Sequence, residues 1–165
     1  MRAYLPATST DLRTLLDTGS LGVAPFTAFA VTPGLREWYV DDDIEALEYA
    51  AMTEAARASL RLLDADSEAA RRRVVIALDA VDEDVEVRDD LDRGVVRLSG
   101  AVTVRQVASF HVDGAVAEPA VAAAASAITA ADLGEPAAQE AMDDAEGYDL
   151  SWYASQELQS LLAEF

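Results

Sequence analysis

A change of hydrophobic period between residues 44 and 78 limits the folds open to this chain more than any other feature. Ile44, Leu47, Ala51, Ala55, Ala58 and Leu62, widened by Tyr49 and Met52, recur at helical spacing. Glu45, Glu48, Glu54, Arg57 and Arg61 fall mostly elsewhere, so the segment predicts a helix with one core-facing stripe. Asp41, Asp42 and Asp43 precede it and offer a cap and negative charge at the positive helix end. Glu54 and Arg57 stand at the spacing of a favourable pair. After a polar stretch, Val74 to Leu78 is a continuous apolar run, the pattern of a central strand buried on both faces. A chain carrying both elements builds a sheet with helices laid on it.

The remaining segments fit that frame. Arg2 to Leu5 reads as a short extended run stopped by Pro6, and Thr8-Ser9-Thr10 as the cap of a helix with Leu12, Leu15 and Leu16 that ends at Gly19. Phe26 to Val31 reads as a strand or an extended segment covering the core, and Pro33 as the first turn of a helix containing Leu35 and Trp38. Val95 to Leu98 and Val102 to Val104 flank a Ser99-Gly100 turn, Val107 to Val112 adds another strand, and Asp89 to Gly94 has turn chemistry. An Ala-rich helix is expected over 119–130, small enough in its side chains to lie close against a sheet. A second helix follows over 137–145, then a final strand or anchor at 149–153 and a last helix capped by Ser155. The order predicts an α+β (or α/β) two-layer sandwich, a small mixed sheet packed by helices, in a single globular domain over 1–165.

Charge narrows the partners. There are 31 Asp and Glu against 12 basic residues, all Arg, for a net charge of −19. Such a surface repels phosphate backbones and anionic head groups, which argues against direct nucleic-acid or membrane binding. Lys and Asn are absent, Ile is rare and Ala abundant, as codon usage in a GC-rich genome would produce, with salt adaptation as the rival cause. The absence of Cys excludes disulfides and thiolate chemistry and agrees with a cytoplasmic location. No apolar run has the length of a signal peptide or a membrane span.

Candidates for chemistry are few. His111 is the single imidazole, and Asp113 lies two residues on, which in a strand puts both on one face. The sharp reading is an acid/base pair; the blander and better one is a strand-end histidine satisfied by a carbonyl or by Asp113. No nucleophile elbow, phosphate loop or dinucleotide fingerprint supports catalysis. Asp64-x-Asp66-x-Glu68 and Asp82-x-Asp84-x-Glu86 begin like calcium loops but lack the glycine and the closing glutamate, so neither a metal nor a cofactor is expected. Arg71-Arg72-Arg73 could grip a phosphate, but on so acidic a chain it more naturally pairs with nearby carboxylates. Trp38, Tyr39, Trp152 and Tyr153 read as core, and the end of the last helix, Leu161, Leu162 and Phe165, as the place to look for an exposed strip that would support a homo-oligomer.

The opening MRAYLPAT, FAVTP at Phe29 to Pro33, EALEYAAMTEAARASLRLL at Glu45 to Leu63 and WYASQEL at Trp152 to Leu158 together resemble a family of uncharacterised actinobacterial proteins that open with an MRVYLPAT-like segment. Ala3 stands where that opening has Val. The resemblance spans nearly the whole chain and implies a GC-rich bacterial, cytoplasmic setting, with no activity or site residues to carry over. The expectation is therefore a non-catalytic binding or regulatory module for a basic protein, such as a nucleic-acid-binding one, met through Asp41, Asp42, Asp43, Asp82, Glu83 and Asp84. The alternative is a small enzyme using His111 and Asp113 with nearby carboxylates.

Overall fold

The apolar run at 74–78 becomes β4 (Val74–Asp79), and its neighbours explain its composition. It pairs antiparallel with β1 (Arg2–Ala7) on one side and β8 (Val107–Val112) on the other, with Val74 to Leu78 all buried. The computed structural model describes residues 1–40 and 42–165. Along the chain, α1 (Ser9–Thr18), β2 (Ser20–Leu21), β3 (Phe26–Ala30), α2 (Pro33–Trp38) and α3 (Ile44–Ala65) separate β1 from β4. β5 (Val85–Val87), β6 (Val95–Leu98) and β7 (Val102–Thr103) lead into β8, followed by α4 (Glu118–Asp132), α5 (Pro136–Glu146), β9 (Ser151–Ala154) and α6 (Leu158–Leu162). The sheet has the order β5-β6-β3-β1-β4-β8-β9, every pairing antiparallel, and β2 pairs with β7 in a separate ribbon. The α+β class expected from the element order holds.

Strand periodicity distributes the core. Leu5, Ile76, Phe110 and Val112 face α1 and α6 through Leu12, Leu15, Leu158 and Leu161. Tyr4, Val75 and Ala77 face the opposite way, onto Leu35 of α2 and Ala51, Ala55 and Ala56 of α3. Beyond the sheet, Leu60 and Leu63 of α3 join Val121, Ala124 and Ile128 of α4 and Ala138 and Met142 of α5. The Ala-rich helix thus lies against other helices and not against the sheet; its small side chains allow the same close approach to a different partner.

These two partners also move the buried arc of α3. Leu47, Ala51, Ala55, Ala56, Ser59, Leu60 and Leu63 are buried, whereas Ile44, Tyr49 and Leu62 of the expected stripe are exposed. Arg57 reaches Asp132 of α4 and Glu146 of α5. A polar residue enters the core because its hydroxyl has work there: Ser59 Oγ donates to the Ala7 carbonyl at 2.7 Å and accepts the Val74 N–H at 3.1 Å. It joins the paired ends of β1 and β4, where Ala7 faces Val74.

Local expectations change elsewhere for physical reasons. Pro6 does not stop β1; the strand continues against β4 to Ala7, while its pairing with β3 is confined to Ala3↔Ala30 and Tyr4↔Phe29, so the missing N–H falls where no β3 rung is made. Val95–Leu98 and Val102–Thr103 do not form a hairpin across Ser99-Gly100, because β6 joins the large sheet and β7 the ribbon. The hairpin lies one turn earlier, between β5 and β6, with Gly94 at φ +82°. Ser155 sits in a 3₁₀ turn; the Glu157 carboxylate accepts the Ala154 N–H there instead. Leu161 and Leu162 are buried, while Trp38, Tyr39 and Trp152 are exposed.

Replacing Ser59 with Ala removes a donor to Ala7 and strands the Val74 N–H, so Ser59→Ala should lower stability by about 1–3 kcal/mol. Urea unfolding measures it, and an unchanged midpoint would contradict the bridging role.

Candidate functional site

The chemistry-bearing residues converge where β4 begins and β8 ends. The antiparallel ladder continues one step past Val74↔Val112, with the Asp113 N–H donating to the Arg73 carbonyl at 3.1 Å. That step turns both side chains to the α3 side of the sheet, beneath the segment that enters β9. Asp113 Oδ2 accepts from the Arg73 backbone N–H and from Nε, and Oδ1 from Nη2, each at 2.8 Å. Nη2 also donates to the Tyr148 carbonyl at 2.9 Å. The side chains are 4% and 0% exposed, so this is a buried bidentate pair with its hydrogen-bonding capacity largely filled.

The other two arginines of the basic run are also spent internally. Arg72 donates to Glu118 at 2.8 Å and lies over the Phe165 ring at 4.9 Å. Arg71 donates to the carbonyls of Leu63, Asp66 and Ala69. Carboxylate pairing therefore accounts for Arg72 and Arg73, and carbonyl pairing for Arg71; Arg72 and Arg73 are buried.

His111 sits on β8 with Ser109 on the same face, and its Nε2 is 3.0 Å from the Ser109 Oγ. Asp113 does not orient it, since both carboxylate oxygens are committed to Arg73. Burial first, and the positive Arg2 second, hold the imidazole below its ordinary pKa. Across the sheet His111 faces Val75 on one side and the exposed Trp152 on the other. Sequence spacing placed His111 and Asp113 on one face correctly, but it carries no information about which neighbour claims the carboxylate.

The acidic candidates occupy two connections. Asp42 and Asp43 are exposed between α2 and α3, where the Asp43 side chain accepts the Glu45 N–H as the helix cap. Asp41 lies outside the described residues. Asp82 and Glu83 are exposed and Asp84 half-buried in the 3₁₀ turn between β4 and β5, with Asp82 2.7 Å from the amino group of Met1. Asp66, in the first calcium-like stretch, instead accepts from Thr10 and from the Glu68 N–H. Among the described residues no group of three His, Asp or Glu converges as metal ligands would. Asp89 is tied within the fold: burial would raise its pKa, but bonds from Thr32, Gly94 and Gly34 outweigh burial and hold it low, joining the β5–β6 hairpin to the start of α2.

Two concavities adjoin these features. A groove of about 390 Å³ runs between α3 and the Glu146–Leu150 segment, with Tyr49, Met52 and Arg57 on the helix side, Tyr148 and Asp149 opposite and Arg73 among its lining. A more apolar cleft of about 500 Å³ lies by Pro6, Leu21, Phe26, Phe29 and Leu62, where β1 and β3 are no longer paired. Neither was legible in the sequence, because each is assembled from segments far apart in the chain.

An antiparallel α+β sheet with a buried ion pair at the strand ends, an open groove beside it and an acid-rich surface defines an acidic protein with no group of three metal-ligating side chains among its described residues. The chain belongs to the family of unknown function DUF6912, whose model matches residues 1–162. Comparison with curated proteins and with solved structures finds no match. Among the described residues no helix is long and apolar enough to cross a membrane.

Asp113→Ala should cost roughly 3–5 kcal/mol, since it leaves the Arg73 guanidinium buried and unpaired, whereas replacing both partners with apolar residues of similar volume should cost far less. Urea titration of the two variants distinguishes an ion pair from a mere packing site. His111 makes a separate prediction: the unfolded chain takes up its proton near the ordinary value of about 6.5, while the folded chain resists it. The penalty is absent above that pH and grows as pH falls through it, so His111→Gln should flatten the fall in stability between about pH 7.5 and 5. Parallel slopes in wild type and variant would rule this out.

Proposed function

We propose that the protein is a non-catalytic binding or regulatory module of the cytoplasm whose partner is a basic protein, nucleic-acid-binding proteins included. One observation carries the reading: the arginines are largely consumed within the fold. Arg2 pairs with Asp79, Arg36 with Asp42, Arg57 and Arg61 with Asp132, Arg72 with Glu118, Arg73 with Asp113 and Arg88 with Asp90. The net charge of −19 is therefore carried by carboxylates in excess of these pairs. Such a field accelerates encounter with positive surfaces and weakens with salt. Asp41, Asp42 and Asp43, and Asp82, Glu83 and Asp84, are the proposed contact patches, and exposed Trp38 and Trp152 supply apolar anchors of the kind that centre an interface.

A small enzyme built on His111 and Asp113 is the second reading. The 3.0 Å contact between Ser109 and His111 favours it. Against it stand the burial of Ser109 and the commitment of Asp113 to Arg73.

The test is capture from native lysate on tagged protein at low and high salt, compared with a variant in which Asp42, Asp43, Asp82 and Asp84 are changed to Asn. Basic proteins should be held at low salt, released at high salt and reduced on the variant. Retention indifferent to salt and to these substitutions, or none at all, would sink the proposal.

A further inference from the structure

We propose that the groove between α3 and the Glu146–Leu150 segment receives a cationic side chain, an arginine or lysine, of the basic partner. This rests on the reading above and adds where the partner is gripped. Three properties of the groove point to a cation. First, two phenol rings from different elements, Tyr49 of α3 and Tyr148 after α5, contribute to its lining together with the Met52 thioether, and aromatic faces attract guanidinium and ammonium groups. Second, its carboxylates are available: Asp149 is exposed with no hydrogen bond or ion pair to its side chain among the described residues, and Glu146 is held only by Arg57 at 3.8 Å. Third, the positive groups in the lining are already answered. Arg73 is held by Asp113 and the Tyr148 carbonyl, and Arg57 leans on Asp132 at 3.2 Å. An anionic ligand would have to displace buried or established partners, whereas a cation meets one unpaired carboxylate and one loosely paired one. At about 390 Å³ the groove is large enough for a side chain and its flanking backbone.

The methionines give a readout that separates this groove from the acidic surface at large. Met52 lines the groove, Met142 on the inner face of α5 is fully buried, and Met1 lies beside Asp82. Titrating methyl-labelled protein with acetylated triarginine amide should shift the Met52 methyl resonance saturably while Met142 stays fixed. The exposed pair of changes Glu146→Gln and Asp149→Asn should weaken that isotherm about tenfold, and Tyr49→Ser about threefold, with an unmoved Met142 signal confirming that each variant is folded. A Met52 methyl that never moves while Met1 does would overturn the groove and leave the basic-partner reading standing. No shift at any methyl and no heat in calorimetry would overturn both. Acetylated triglutamate amide shifting Met52 as readily, or full affinity in both the paired variant and Tyr49→Ser, would overturn the assignment of a cation.

Discussion

The buried ion pair between Arg73 and Asp113 is the constraint around which the sheet is arranged. It sits where the start of β4 lies beside the end of β8, and it reaches beyond them to the Tyr148 carbonyl, so one guanidinium fixes the register of β4 on β8 and the entry of the chain into β9. A buried pair of this kind contributes less to net stability than its short distances suggest, because desolvation offsets much of the attraction. What it adds is selectivity. A strand slipped by one residue would turn one charge toward the apolar side formed by Ile76, Phe110 and Val112, where nothing answers it.

Other arginines are used in the same way. Arg57 and Arg61 clasp Asp132 across the α3–α4 boundary, and Arg72 ties the start of β4 to Glu118 and the aromatic ring of Phe165. At these joints positive charge is spent between elements, and carboxylates in excess of the pairs remain for the outside. An acidic exterior and a well-joined interior are two faces of one allocation.

The sequence disclosed the elements better than their partners. The 74–78 run and the 44–65 helix were plain because their periodicities differ and each is long enough to resist local ambiguity. The α+β class followed from their order. What failed were statements about neighbours. The stripe on α3 was misplaced because Ser59 is buried for its two hydrogen bonds, which hydropathy counts as a fault. The Ser99-Gly100 turn was real chemistry attached to the wrong pairing, since strand partners lie far away in sequence. Composition alone puts Trp38, Tyr39 and Trp152 in the core, yet all three are exposed and Trp38 lies outside with Arg93 3.5 Å from its ring centroid. At the site, spacing gave the shared face of His111 and Asp113, and only tertiary contact decides that Arg73 takes the carboxylate.

The central seat of β1 has a kinetic side. Ala3 must find Leu78, about 75 residues later in the chain, before the middle of the sheet exists, and closing so long a loop is paid in entropy ahead of any reward from pairing. Until then the Val74–Leu78 run is an unpaired apolar strand, the sort of segment through which unfinished chains adhere to one another. Mutual repulsion between chains carrying −19 each keeps such encounters rare. The acidity thus guards assembly during folding as well as shaping the finished surface.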